Sequence, residues 1–365
     1  MLVWILDALA ADAVSSITST DRGTSVVLIG RSAVAMLCAL FATLCLGPIA
    51  IRFLRQRFRE RIDSASESLN SLHSGKASTP TMGGALLIAV VVGSTVAFCD
   101  LTKPAVWVAL VAVVAFGSIG AVDDWIKATT RRRGLTVGQK VIAQIVAATY
   151  CGMLLHSVIP SGDLKFDIPF TEPLLIAGAM LPVWASFVLV AGSNAVNLTD
   201  GLDGLAGGCG VIASSVMTLV CGFAAHPVLA LWAGMPYTAP AGELAIVLSS
   251  LTGALIGFLK FNRYPAKVFM GDTGSLPIGA LLGVAGLVAR QELLLVIACG
   301  VYAVEALSVM AQVGWFKATG TRLIRCSPLH NHFVLAGHHE PRIVQRFWMA
   351  GVGCAFLAIA SLWAN

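Results

Sequence analysis

The chain has 365 residues, of which 57% are hydrophobic and only 12% charged, with a net charge of +5 and a mean hydropathy of +0.84. A water-soluble domain carries about 25% charged residues. The composition therefore excludes an ordinary soluble enzyme and predicts a chain that meets lipid over much of its surface.

The first ten residues are apolar and predict a short segment lying in the membrane interface. No Lys or Arg occurs in the first 20 residues, so the positive n-region of a cleaved signal peptide is missing. Charge-free runs near the roughly 17–25 residues that a membrane helix needs then follow one another. They lie at 32–51, 81–99, 104–122, 141–162, 173–199, 204–223, 244–259, 273–289, 293–316 and 347–365, with Glu305 interrupting the ninth. The runs are continuous, without the ten-residue alternation of a transmembrane barrel. They are rich in Ala, Gly, Ser and Thr, which let membrane helices approach closely. The expectation is an all-α membrane protein of about ten transmembrane helices, forming a single domain over residues 1–365. The nine Cys contain no CxxC pair and mostly sit in or beside these runs, so they read as small core hydrophobes.

Lys and Arg concentrate on cytoplasmic loops. With the nine loops numbered in order, the odd loops hold 19 of the 24 Lys and Arg. Loop 1 alone carries five Arg between Arg52 and Arg61, besides Lys76. The odd loops are thus expected in the cytoplasm and both termini outside. The Arg run serves topology and attraction to anionic lipid, and no nucleic-acid partner is expected.

The unusual polar residues fall on those same odd loops. Asp123-Asp124 close the third run. Adjacent carboxylates on a helix point in different directions, so one can bind metal while the other handles a proton. Loop 5 reads Asn194-Ala-Val-Asn197-Leu-Thr-Asp200-Gly-Leu-Asp203-Gly, with polar groups every three residues that share helix faces in pairs. Amides and carboxylates beside bare glycine backbone suit a nucleotide or sugar. Loop 7 carries Asn262 and, in Met270-Gly-Asp272-Thr-Gly-Ser275, a carboxylate able to hold Mg²⁺ together with phosphate oxygens. An N-cap on the eighth run is the bland alternative for Asp272. In loop 9, Leu329-His330-Asn331-His332 and His338-His339 match no standard zinc spacing and, beside Arg322 and Arg325, suit an anionic phosphate. Lys76 and Thr79-Pro80-Thr81-Met82-Gly83-Gly84 place a cation, hydroxyls and glycines at a helix start, an anion-binding arrangement.

Together, Thr79–Gly84, Asp123-Asp124-Trp125, Gly134-Leu135-Thr136 through Lys140, Asn194 to Gly204, Asn262 to Ser275 and the His segment resemble the polyprenyl-phosphate N-acetylhexosamine-1-phosphate transferase superfamily. Within it they are most similar to the phospho-N-acetylmuramoyl-pentapeptide transferases, the MraY family. The matching segments cover residues 76 to 346 in order. The resemblance implies a Mg²⁺-dependent enzyme of the bacterial inner (cytoplasmic) membrane. Its reaction converts UDP-N-acetylmuramoyl-pentapeptide and undecaprenyl phosphate to lipid I and UMP, the first membrane step of peptidoglycan synthesis. It also implies residue roles. Asp272 ligates the metal. Asp123 and Asp124 are essential, one as a base toward the lipid phosphate. Asn197, Asp200, Asp203 and Asn262 line the nucleotide and metal pocket. Lys76, Thr81 and Lys140 bind phosphate or nucleotide, and His330 and His332 contact the substrate's polar part. Loop 9 departs from the family pattern, with Asn331 in place of the middle of three His and Val334 in place of Glu.

Three other readings compete. A sister enzyme would use UDP-N-acetylglucosamine. A secondary transporter would place its polar residues near the midplane, often within inverted repeats, whereas these cluster at one face. A noncatalytic lipid-binding scaffold would not need so many carboxylates. The sequence leaves a homodimer open.

Overall fold

Thirteen helices and one small hairpin make up the computed structural model, which describes residues 20–58, 76, 79–130, 132–159, 164–166, 174–176 and 178–362. The expected interfacial segment at 1–10, and Arg59, Arg61 and Arg131, lie outside the described residues. In chain order the helices are α1 (Thr20–Arg57), α2 (Gly84–Phe98), α3 (Pro104–Thr129), α4 (Val137–Leu155), α5 (Leu181–Thr199), α6 (Leu205–Ala224), α7 (Pro227–Trp232), α8 (Ala241–Asn262), α9 (Asp272–Ala289), α10 (Glu292–Ala298), α11 (Gly300–Thr319), α12 (Leu329–Leu335) and α13 (Glu340–Ser361).

Each of the ten apolar runs overlaps a helix. Among the described residues, seven helices are long and apolar enough to cross a membrane, and α10 with α11, bent by 85° at their junction, makes an eighth if taken as one broken span. The chain is a multi-pass membrane protein. Its outward faces carry Trp107, Ile142, Phe187, Leu307, Met310 and Phe356 exposed, as helices surrounded by hydrocarbon require.

The boundaries differ from the sequence reading where charge proved a poor marker of a helix end. α3 runs seven residues past its apolar run, so Asp123, Asp124 and Lys127 all lie on one continuous helix. The first eight residues of the 173–199 run lie outside α5. They include strand β2 (Leu174–Ile176), which pairs antiparallel with β1 (Leu164–Phe166), and a short 3-10 turn. α5 starts there because Pro182 suits a first helical turn. α4 begins at a full capping box, with Thr136 and Gln139 exchanging side-chain to backbone bonds.

Helix α9 is the axis of the fold. Its whole length is buried, mainly against α3 and α5 and also against α2, α6 and α8. Small residues make this possible. A Cβ on Gly120 of α3 would collide with the Asp272 carbonyl, and one on Gly84 of α2 would collide with the backbone at Gly274. The axis and its neighbours therefore touch main chain to main chain where α9 begins. At the end of α8 far from Asn262, Glu243 binds Arg31 of α1 at 3.0 Å and accepts the Asp100 amide at 2.8 Å. Arg31 also donates to the Phe98 carbonyl, tying α1, α2 and α8 together.

Candidate active site

The backbone turns into α9 through Gly271, whose φ of 71° is open to glycine at little strain. Gly271 is the N-cap and has no side chain to offer, so the first amides of the helix are met by Asp124 of α3. Asp272 is thus the first helical residue, and its carboxylate is not occupied as a cap. Instead Oδ1 accepts from Asn197 Nδ2 of α5 at 2.6 Å, while Oδ2 meets Lys140 Nζ of α4 at 2.6 Å and Lys127 Nζ of α3 at 3.1 Å. Three helices converge on one buried carboxylate. Asn197 also donates to Ser275 Oγ, one turn along α9.

Asp123 and Asp124 diverge, as adjacent helical residues must. Asp124 turns inward to α9. Its Oδ1 accepts the Asp272 amide at 3.1 Å, and its Oδ2 accepts the Thr273 amide at 2.9 Å and the Thr273 hydroxyl at 2.7 Å. Asp123 faces the next loop, with the Leu135 amide on Oδ1 at 2.7 Å and Lys127 on Oδ2 at 2.6 Å. Gly134 fits there because a side chain would strike the Asp123 carboxylate.

Asp123, Asp124 and Asp272 offer oxygens that all lie within 4.8 Å of one another, each residue being buried. Three carboxylates this close repel strongly in a poorly solvated site. Lys127 Nζ sits among them, at 2.6 Å from Asp123, 3.1 Å from Asp272 and 3.9 Å from Asp124. With Lys140 the cluster holds three negative charges against two positive ones. Hard oxygen donors and an uncompensated negative charge fit a cation such as Mg²⁺. Asp272 would hold it, while the Asp124 oxygens already accept three hydrogen bonds. The Lys127 side chain is 38% exposed.

The Thr-Pro-Thr-Met-Gly-Gly segment does not act as an open anion site at the start of α2. Pro80 O accepts the Phe269 amide, while the Gly83 and Gly84 amides donate to the carbonyls of Phe269 and Met270. The segment is a strap that fixes the loop leading into Asp272. Thr81 is buried within it, with its hydroxyl near Gly271. Asn262 is also buried. Its Nδ2 donates to the Val268 carbonyl, bracing the same loop, and its Oδ1 has no partner among the described residues.

Lys76 and Asp203 stand together but not on Asp272. Lys76 Nζ lies 2.7 Å from Asp203 Oδ1 and 2.7 Å from Glu340 Oε1. Asp200 forms the half-buried C-cap of α5. His330 is 1% exposed, with Nδ1 at 3.2 Å from Glu305 and its amide donating to the same carboxylate at 3.1 Å. Its Nε2 has no partner among the described residues and lies where a side chain on Gly201 would stand. His332 Nδ1 accepts the Arg325 amide. Asn194, counted with the loop 5 cluster, bonds Gln144 of α4 and so joins two helices.

The sequence reading missed Lys127, Glu305 and Glu340 as site residues. Lys127 served there only as a topology marker, although a Lys four residues after Asp123 is the right spacing for contact on a helix. Glu305 figured only as an interruption, yet an ionisable residue inside an apolar run is itself a functional signal. Glu340 carried no local signal, because its partners lie 137 and 264 residues away.

A sequence profile of glycosyl transferase family 4 matches residues 106–290, which include the three aspartates. The phospho-N-acetylmuramoyl-pentapeptide-transferase of Koribacter versatilis (strain Ellin345) is 40% identical over 91% of this chain and 92% of its own length. The protein of the same name from Desulfotalea psychrophila (strain LSv54 / DSM 12343) is 41% identical, again over 91% of this chain and 92% of its own length. The catalytic-type cluster and this end-to-end similarity lead to one conclusion: the chain belongs to the phospho-N-acetylmuramoyl-pentapeptide-transferase family.

Proposed function

We propose that the chain transfers phospho-N-acetylmuramoyl-pentapeptide from its UDP-linked form to undecaprenyl phosphate, giving lipid I and UMP. The observation that carries this reading is the buried Asp272 carboxylate, held between Asn197, Lys127 and Lys140 with Asp123 beside it. The enzyme is one domain of ten spans in the bacterial inner membrane, with both termini outside and this cluster at the cytoplasmic face. The excess of Lys and Arg on the odd loops supports that orientation.

The reaction brings a lipid phosphate oxygen against the sugar-bound phosphorus of the donor. A new P–O bond forms, the bond to the UMP oxygen breaks, and UMP leaves with that electron pair. The chemical demand is to hold two anions together. Lys127 and Lys140 offset their charge at Asp272. Mg²⁺, when bound, supplies further neutralisation of the phosphate oxygens, with Asp272 as its main ligand. Asp123 is the candidate base toward the lipid phosphate, because its Oδ2 faces the partly exposed Lys127 side chain. Asp124, which accepts three bonds from the start of α9, positions Asp272. Asn197, Asp200, Asp203, Asn262, Lys76 and Thr81 form the donor pocket, and His332 faces the donor's polar part. His330 supports loop 5 from beneath.

The test is UMP release in nanodiscs with Mg²⁺, undecaprenyl phosphate and either UDP-N-acetylmuramoyl-pentapeptide or UDP-N-acetylglucosamine. Release with the muramoyl donor only, abolished in Asp272→Asn, is expected. Release with the glucosamine donor instead would assign the sister reaction, and release with neither from folded protein would refute the transfer.

A further inference from the structure

Four segments far apart in sequence meet on two carboxylates and one ammonium. Glu340, the first residue of α13, accepts from Lys76 Nζ through both oxygens, at 2.7 and 2.8 Å. Its Oε1 also accepts the Asp203 amide at 2.7 Å. Asp203 in turn takes Lys76 on Oδ1 at 2.7 Å and the Ala266 amide on Oδ2 at 2.9 Å. The side chains of Glu340 and Asp203 are only 12% and 3% exposed, while Lys76 keeps 20%. The largely desolvated carboxylates make this a stronger contact than a surface ion pair.

We infer that Glu340 is a positioning residue for the UDP-linked donor, setting where the Lys76 ammonium and the Asp203 loop stand. The inference rests on the proposed transfer reaction, in which Lys76 and Asp203 serve the donor. A lysine has a long flexible stem and three donors. With Asp203 alone as partner its head would roam, and Glu340 removes that freedom. Glu340 also holds the Asp203 main chain directly, so one carboxylate aligns a side chain from loop 1 with backbone from loop 5. None of its bonds reaches Asp272, Asp123 or Lys140. Its influence therefore falls on donor binding and leaves the reacting phosphates to the aspartate cluster.

The experiment is steady-state UMP release by Glu340→Ala and Glu340→Gln, with calorimetric titration of the UDP-linked donor onto each. Glu340→Ala is expected to raise the donor KM and weaken donor binding about tenfold, within the range of coupling between residues of one charge network. Its kcat and its KM for undecaprenyl phosphate stay within about threefold of wild type. Glu340→Gln, which keeps an acceptor for the Asp203 amide, falls between and stands in if the alanine variant does not fold. In a Lys76→Ala background, Glu340→Ala weakens donor binding less than it does alone, because only its bond to the Asp203 amide is left to lose. A fall in kcat with donor affinity unchanged, or fully additive losses, would overturn the inference. A wild-type chain that binds the donor but turns nothing over would refute the reaction while the titrations still decide the role of Glu340. One that binds no donor would sink both.

Discussion

Asp124 is tied to Thr273 twice, through the Thr273 amide at 2.9 Å and its hydroxyl at 2.7 Å, both on the same carboxylate oxygen. Asp123, one residue earlier, takes the Leu135 amide and Lys127 instead. The two aspartates therefore differ in kind. An Asn at 124 would turn an amide donor toward donors and leave buried groups unsatisfied, at about 1–3 kcal/mol. Asp124→Asn is expected to lower the thermal midpoint in detergent by several degrees and to reduce kcat. Asp123→Asn should reduce kcat while leaving the midpoint nearly unchanged, since its Oδ1 still accepts the Leu135 amide and one repelling charge is gone. Equal midpoints for both variants would contradict this division.

Lys127 stands where a cation would be held, touching all three aspartates. Removing its charge leaves the cluster more negative. Lys127→Met is expected to bind Mn²⁺, followed by electron paramagnetic resonance, about tenfold more tightly or better, yet to turn over more slowly. Unchanged or weaker Mn²⁺ binding would show that the lysine does not compete for the site.

Gly120 lets α3 lie on the Asp272 carbonyl, where a Cβ would collide with backbone that cannot yield. Gly120→Ala should cost about 1–3 kcal/mol and most of the activity, because the pushed element carries Asp123 and Asp124. Gly93→Ala, on α2 with nothing nearby, is the control and should stay within about 0.5 kcal/mol. Comparable losses in both would point to lipid packing rather than the Asp272 contact, since Ala is the better helix former.

Glu305 accepts both the His330 amide and its ring nitrogen, and neither side chain is more than 1% exposed. Glu305→Ala leaves two buried groups without an acceptor and should cost about 2–5 kcal/mol, seen as early unfolding on heating. Glu305→Gln keeps an acceptor for the amide and should recover part of it. A variant as stable as wild type would mean that the pair is dispensable.

Asn331 occupies a half-buried turn of α12, and its side chain makes no hydrogen bond among the described residues. Restoring the family residue with Asn331→His should therefore change kcat/KM by less than about threefold. A large gain would identify a protonatable ring as the missing feature.

Some of this was legible along the chain. Ten apolar runs, each overlapping a helix, and the gathering of Asp123, Asp124, Asn197 and Asp272 followed from charge spacing. Burial in lipid forbids charge over whole turns, so its exceptions stand out. The division between Asp123 and Asp124 was not legible. Both carry the same side chain at the same helix end, and only the rotation of α3 against α9 turns one to the Thr273 amide and the other to Leu135.

By itself the sequence determined the membrane class and the family, because hydropathy and motif order are properties of the chain read one residue at a time. The tertiary structure alone decided what each charge faces. Lys76 pairs with Asp203 and Glu340, Lys127 stands among the aspartates, and the Thr-Pro-Thr-Met-Gly-Gly segment braces loop 7. These partners lie up to 264 residues apart. Their meeting depends on how the helices pack around α9, where glycine contacts bring main chains together and leave each charge only the neighbours that packing supplies.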